Sequence, residues 1–312
     1  MASQKDIGER IESVKNVKQI TRAMEMVAAA RLRRAEQRIE VLRPYADAIR
    51  RMTRRAVEGA QSLPDIPLLE EHDSIDRVGL LLITGDRGLA GPFNSQIIRA
   101  GEQRAREVRR EGQEPAWYVV GAKGASSLSF RGYDLENVYS GFTDRPAYAD
   151  ARQVGQDIVS AYTDENIDQA EIFYNGYISP MRQVVRRETL LPLQQADFLG
   201  EADEDDEESE ADSEEQGSEE GPDHSRALWI YEPEPGEILR QLAPDYVEIS
   251  IYRAMLESAA SEHGARMTAM RSASDNADEM IDDLTMQANR ERQAAITQQI
   301  MEVVSGAEAT GG

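Results

Sequence analysis

Residues 7–42 read IGERIESVKNVKQITRAMEMVAAARLRRAEQRIEVL. The stretch contains no proline and one glycine, Gly8, so little in it breaks a helix. Alternate steps of four and three from Ile7 visit Ile11, Val14, Lys18, Thr21, Glu25, Ala28, Leu32, Ala35, Ile39 and Leu42, and eight of these eleven are apolar. Such a 3.5-residue repeat is the seam of a coiled coil. Where the ladder turns polar, at 18–25, the neighbouring ladder Val17, Ile20, Met24, Val27 is expected to take over, because a 3.6-residue helix drifts against a 3.5-residue repeat. Pro44 should bend the helix or restart it.

The other end carries a matching ladder: Leu256, Ala260, His263, Met267, Met270, Ser274, Ala277, Ile281, Leu284, Ala288, Glu291, Ala295. Nine of the twelve are apolar and many are small, so a partner helix can approach closely. Residues 1–60 carry a net +6 and residues 245–312 a net −7. Single surface pairs are weak, but the opposite signs favour the two helices meeting each other over separate packing on the middle of the chain. At about 1.5 Å per residue each would be ~80–90 Å long, more than one domain can cover. If the pair is antiparallel and hinged at residues 60 and 245, residue 24 faces about 279 and residue 5 about 300. The last dozen residues, with Ile300, Met301, Val303 and Val304, then run past the N-terminus with no internal partner. Segment 24–30, MEMVAAA, is apolar nearly all round, which asks for burial on several faces. The expectation is a rod whose tip sits inside something else.

Composition narrows the alternatives. The 312 residues include no Cys, which excludes disulfides, thiolate metal sites and thiol nucleophiles. No apolar run approaches the length of a spanning helix, and MASQKDIGER resembles neither a signal nor a transit peptide. The formal charge is −23, but residues 197–224 alone hold 15 acids and no Lys or Arg, so the remainder is only −8. Nucleic-acid binding is not expected without a basic face. Segment 198–224 is low in complexity and poor in apolar groups, so it reads as a disordered acidic insert, either a tolerated solvated loop or a charged tether.

Between the helices, strand and helix signals alternate. RVGLLLIT (77–84), AWYVVG (116–121), EIFYNGYIS (171–179), RQVVRRETLLPL (182–193) and LWIYEP (228–233) read as strands. Residues 92–111, 122–130 and 146–163 read as helices. The expected organisation is a shaft of 1–60 and 245–312, an α/β domain of 75–197 and 225–244, and the insert 198–224. GDRGLAG (85–91), after a strand and before a helix, invites a phosphate-binding reading, yet it lacks both glycine-rich nucleotide fingerprints, and a tight turn needs glycines anyway. His72, His224 and His263 have no partner at ligand spacing, and no nucleophile motif occurs. Nothing here argues for a catalytic residue, a metal or a cofactor.

IGERIESVKNVKQITRAMEMVAAARLRRAE (7–36), EISIYRAMLESAASEHGARMTAMRSASDNADEM (248–280) and AITQQIMEVVSGAEA (295–309) closely resemble the gamma subunit of F-type ATP synthases. ITGDRGLAGPFN (83–94), RRETLLPL (186–193) and YEPEPGEIL (231–239) add to the likeness, which spans nearly everything except the insert. The resemblance implies an antiparallel coiled-coil shaft over a Rossmann-like α/β foot. It implies a non-catalytic central rotor that transmits torque between the membrane c-ring and a hexamer of alpha and beta subunits. The epsilon subunit would lie beside the foot, and the complex would sit on the cytoplasmic side of the cell membrane. By the same resemblance, Met24, Arg292, Gln293, Thr297 and Glu302 would contact the hexamer, with Gly306 and Ala307 in the terminal signature. Trp229, Tyr231 and Glu232 would lie near epsilon and the c-ring. Gln299 stands where the family usually has Glu, and the chloroplast-type regulatory cysteines are absent. A free-standing coiled-coil adaptor and a nucleotide-binding protein using loop 85–91 are the competing readings.

Overall fold

The computed structural model describes residues 4–59, 66–193 and 235–310. Helix α1 runs from Gln4 to Gly59 and remains helical through Pro44. Strand β1 (Arg77–Ile83) follows, then α2 (Phe93–Arg110), β2 (Glu114–Val120), α3 (Ala122–Phe130), β3 (Leu135–Tyr139), α4 (Tyr148–Thr163), β4 (Gln169–Ser179) and β5 (Arg182–Leu191). The last helix, α5, spans Pro235–Thr310, 76 residues.

The strands form one sheet in the order β3-β2-β1-β4-β5. Pairings β3–β2, β2–β1 and β1–β4 are parallel, and the β4–β5 hairpin is antiparallel. Strand β1 is the centre, and its run VGLLLI is buried on both faces, as an inner parallel strand must be. Leu80 and Leu82 pack under α2 with Ile97, Ala105 and Val108. Leu81 and Ile83 face the opposite layer, where α4 supplies Val154 and Ile158 and α5 supplies Leu239, Ala243, Val247 and Ile251.

That second layer explains where α5 begins. The proline-free stretch starts at 245, yet the helix starts at Pro235 and passes through Pro244. A proline at the first helical turn forfeits no hydrogen bond. At Pro244 the local cost is outweighed by the burial of Leu239, Ala243, Val247 and Ile251 on one face against the sheet. Strand β3 is a second difference. The sequence reading has no strand between 130 and 146, but Leu135–Tyr139 pair with β2 at the sheet edge, only Tyr139 being fully buried. The strand expected at 228–233, Trp229, Tyr231, Glu232 and the acidic insert lie outside the described residues.

Candidate functional site

The two long helices meet along the expected ladders. On α1, Ile7, Thr21, Ala28, Leu32 and Ala35 are buried. On α5, Ala260, His263, Met270, Ser274 and Ala277 are buried. The pairing is antiparallel: Lys18 bonds Asp278, Thr21 Oγ1 lies 2.7 Å from Ser274 Oγ, and Arg271 Nε donates to Glu25 at 2.8 Å.

The register differs from the expectation. Each of these pairs has residue numbers adding to 295 or 296. Residue 24 therefore lies across from about 272 and not 279, a slide of roughly 10 Å along the axis. The cause is the hinge: the pair is set by the ends of its helices, Gly59 and Pro235, not by residue 245.

The neighbouring ladder does not take over at 18–25 either. Lys18, Thr21 and Glu25 stay in the seam, each matched by a polar partner on α5. Val17, Ile20 and Val27 point outward at 51%, 60% and 53% exposure, with Met24 half-buried beside them. The coil thus keeps a polar layer inside and an apolar stripe outside at one level. Hydrogen-bonded polar pairs in a seam fix register. The outward stripe is the feature that calls for a partner.

Beyond the start of α1 the stripe continues on α5 alone. Ile296, Ile300, Met301 and Val303 are all exposed. In the observed register Arg292 and Gln293 lie level with the first turn of α1, and Thr297 lies a turn further on. All three are exposed, and Thr297 Oγ1 donates to the Gln293 carbonyl at 2.9 Å. Glu302 lies on the same helix.

Loop 85–91 sits where parallel α/β sheets bind ligands: at the carboxyl end of β1, beside β4, where the strand order reverses. Here that crevice is filled from within. Ser261 of α5 donates to the Asn175 carbonyl of β4 at 3.0 Å. A Cβ on Gly85 would come within 2.9 Å of the Glu262 carboxylate, and Arg266 Nη2 donates to the Gly88 carbonyl at 3.3 Å. The cavity left among Thr84, Thr143, Met255, Ser258 and Glu262 is about 10 Å³, room for one water at most. The N-terminus of α3, which could hold a phosphate, already holds a carboxylate. Asp86 accepts from Ala122 N (2.9 Å), Gly141 N (2.8 Å), Thr143 N (3.2 Å) and Thr143 Oγ1 (2.9 Å). Burial alone would raise the Asp86 pKa, but these donors outweigh it and hold the carboxyl below its ordinary value. The loop is therefore a structural clamp between foot and shaft, and the observed geometry argues against the nucleotide-binding alternative.

Other contacts tie the foot to both helices. Arg31 of α1 pairs with Asp144, and Tyr177 of β4 bonds Glu36 of α1. Gly264 lets the β4–β5 turn approach: a Cβ there would lie 3.1 Å from the Pro180 carbonyl. Sequence reasoning missed this junction. Its residues are scattered among α1, α5 and three connecting segments, and no spacing in the chain relates them. Of the histidines, His72 bonds Asp168 at 2.9 Å and stacks on Tyr162, His263 is buried in the junction, and His224 lies outside the described residues.

Comparison with known proteins agrees with this architecture. The family model described as ATP synthase matches residues 3–310. The ATP synthase gamma chain of Geobacter metallireducens is 41% identical over 312 residues, all of both chains. That of Trichlorobacter lovleyi is 40% identical over the same full span. Among solved structures, a chain of the Tetrahymena thermophila mitochondrial ATP synthase central stalk and c-ring is 25% identical with a TM-score of 0.57, covering 82% of this chain and 99% of that one. A chain of the Euglena gracilis mitochondrial ATP synthase has a TM-score of 0.65 at 18% identity, covering 98% of this chain and 94% of that one, a likeness of fold. A helical shaft wound from both ends of the chain, rising from a doubly wound sheet whose ligand crevice is filled by its own helix, belongs to the ATP synthase gamma-chain family.

Proposed function

We propose that the protein is the central rotor shaft of an F-type ATP synthase, turning inside a hexamer of alpha and beta subunits and carrying torque to and from a membrane c-ring. The carrying observation is the outward apolar stripe of Val17, Ile20, Met24 and Val27, continued past the start of α1 by Ile296, Ile300 and Met301. A free chain gains nothing by leaving these groups in water, and a surrounding ring removes that cost. The chain is a non-catalytic subunit. It acts by shape: a rod of two unlike helices presents a different side to each catalytic site as it turns, and site opening follows rotation.

Within this reading, Met24, Arg292, Gln293, Thr297 and Glu302 face the hexamer. Trp229, Tyr231 and Glu232 lie with the foot towards the epsilon subunit and the c-ring. Residues 1–60 and 245–312 make up the shaft, 75–197 and 225–244 the foot, and 198–224 an acidic insert that lies outside the described residues. No helix among the described residues is long and apolar enough to cross a membrane. In this reading attachment to the membrane runs through the complex, on its cytoplasmic side. Cryo-electron microscopy of the native assembly tests the reading: density for residues 290–310 enclosed by a hexamer is expected. A C-terminal tip standing free, or bound to some other partner, would favour the adaptor instead.

A further inference from the structure

One of the foot's grips on both helices is a charged cluster, half-buried at Arg31 and Asp144, with a buried histidine at its centre. Asp144, between β3 and α4, pairs its carboxylate with Arg31 of α1. Its backbone carbonyl lies 3.2 Å from Nε2 of His263 on α5. The other ring nitrogen, Nδ1, lies 3.4 Å from Arg266 Nη1. A carbonyl only accepts and a guanidinium only donates, so the ring is the neutral tautomer with its proton on Nε2. Arg266 in turn pairs with Glu262 and donates to the Gly88 carbonyl of loop 85–91. His263 is 2% exposed and thus joins α5, the Asp144 segment and, through Arg266, the loop after β1.

We propose that His263 is a proton-sensitive latch between foot and shaft: a proton added at Nδ1 turns an N–H and a positive charge against the Arg266 guanidinium and loosens the Asp144 segment and loop 85–91 from α5. The charged groups acting on the ring are Asp144, Arg266 of α5 and Arg31 of α1, while Glu262 of α5 pairs with Arg266 and has Asp86 of the 85–91 loop beyond it. Burial, chiefly, lowers the histidine pKa; Asp144 opposes the shift, and Arg266 and Arg31 add to it. The ring is neutral in the closed junction and ordinary once the junction opens. Closure is therefore complete above about pH 6.5 and weakens as the pH falls below it. Glu262 contributes separately. Burial raises its pKa and Arg266 partly offsets this, so the closed junction takes up that proton more readily than the open one, and through Glu262 acid favours closure, opposing the histidine. The latch is a property of the junction itself and stands whether or not a hexamer surrounds the tip.

Hydrogen exchange on the assembled complex at pH 7.5 and 5.5, corrected for intrinsic rates, tests the latch. In the wild type the open population around residues 261–270 and 85–91 should rise about tenfold on acidification, the ratio set by an ordinary histidine near 6.5. In His263→Gln, whose amide offers one donor and one acceptor, the rise should fall below about twofold, while Glu262→Gln should keep it near tenfold. A flat wild type, or a His263→Gln variant as steep as the wild type, overturns the proposal. If His263→Gln does not assemble, the full-length wild type decides by NMR. The chain has three histidines, and a His263 ring titrating near the ordinary midpoint overturns the latch, whereas a depressed midpoint supports it.

Discussion

Thr21 of α1 and Ser274 of α5 share a 2.7 Å hydrogen bond inside the coil, both side chains withdrawn from water. An apolar pair would hold the helices together without choosing among registers a heptad apart. Thr21 Oγ1 also donates to the Lys18 carbonyl of its own helix at 3.0 Å, so it is the acceptor for Ser274, and any slide leaves the buried Ser274 hydroxyl unmatched, which selects this alignment.

Thr21→Val should therefore destabilise the chain by about 1–3 kcal/mol, because Ser274 loses its partner in a buried place. Adding Ser274→Ala should recover part of that loss. Chemical denaturation of the two single variants and the double one gives the coupling. Strictly additive losses would mean that the two hydroxyls do not interact.

Ile20 is 60% exposed on the outward stripe. Ile20→Asp should leave the chain's own stability within about 0.5 kcal/mol. In the assembled complex the same change should lower ATP synthesis severalfold, since a charge would enter a dry contact. Unchanged synthesis would remove this face from the partner surface.

The Asp86 carboxylate supports four donors, and its pKa is lowered from the ordinary 3.8. Its contribution is present in full above that value and is lost as pH falls through the lowered one. Asp86→Asn should flatten the acid limb of the stability profile below about pH 4. Asp86→Ala should cost about 2 kcal/mol at neutral pH through unmatched amides at the α3 N-terminus. Thermal unfolding across pH 3–7 reads both.

Glu171 of β4 is 1% exposed and accepts from Arg104 Nε at 3.0 Å and from Arg187 Nε and Nη2 at 2.9 Å. Glu171→Ala should cost about 1–3 kcal/mol, because it leaves the buried Nε of Arg104 without its acceptor while Glu107 and Glu111 still supply counter-charge. Glu171→Gln, which keeps an acceptor, should cost less. Equal losses in the two variants would show that volume matters here and charge does not.

Deleting residues 199–224 should leave the unfolding midpoint and assembly unchanged, because the low-complexity insert has little apolar surface to contribute to the core. Co-purification with the alpha and beta subunits, before and after deletion, is the measurement. Loss of assembly would make the insert a structural element.

Much of the architecture was legible because periodicity is local. The 4–3 ladders marked the seam, and buried or half-buried positions follow them from Ile7 to Leu42 on α1 and from Leu256 to Glu291 on α5. The unbroken run in β1 marked an inner strand for the same reason. Register was not legible, since it depends on where α5 begins, and Pro235 starts it through burial against a sheet that the local pattern does not contain. The outward turn of Val17, Ile20 and Val27 was missed because helix drift argued for an apolar seam, while complementary polar pairs held Lys18, Thr21 and Glu25 in place. Strand β3 escaped because a five-residue edge strand with one fully buried side chain has almost no pattern.

Because α5 is one helix from the core of the foot to the tip, the molecule has no joint along it. A twist entering at Leu239 or Ile251 reaches Thr297 along one helix over about 70–90 Å, with Pro244 the one residue after Leu239 that donates no backbone hydrogen bond. Compliance must then come from small distortions shared by every turn. Such a part stores strain evenly, like a torsion bar, and gives it back without slack when the direction of drive reverses.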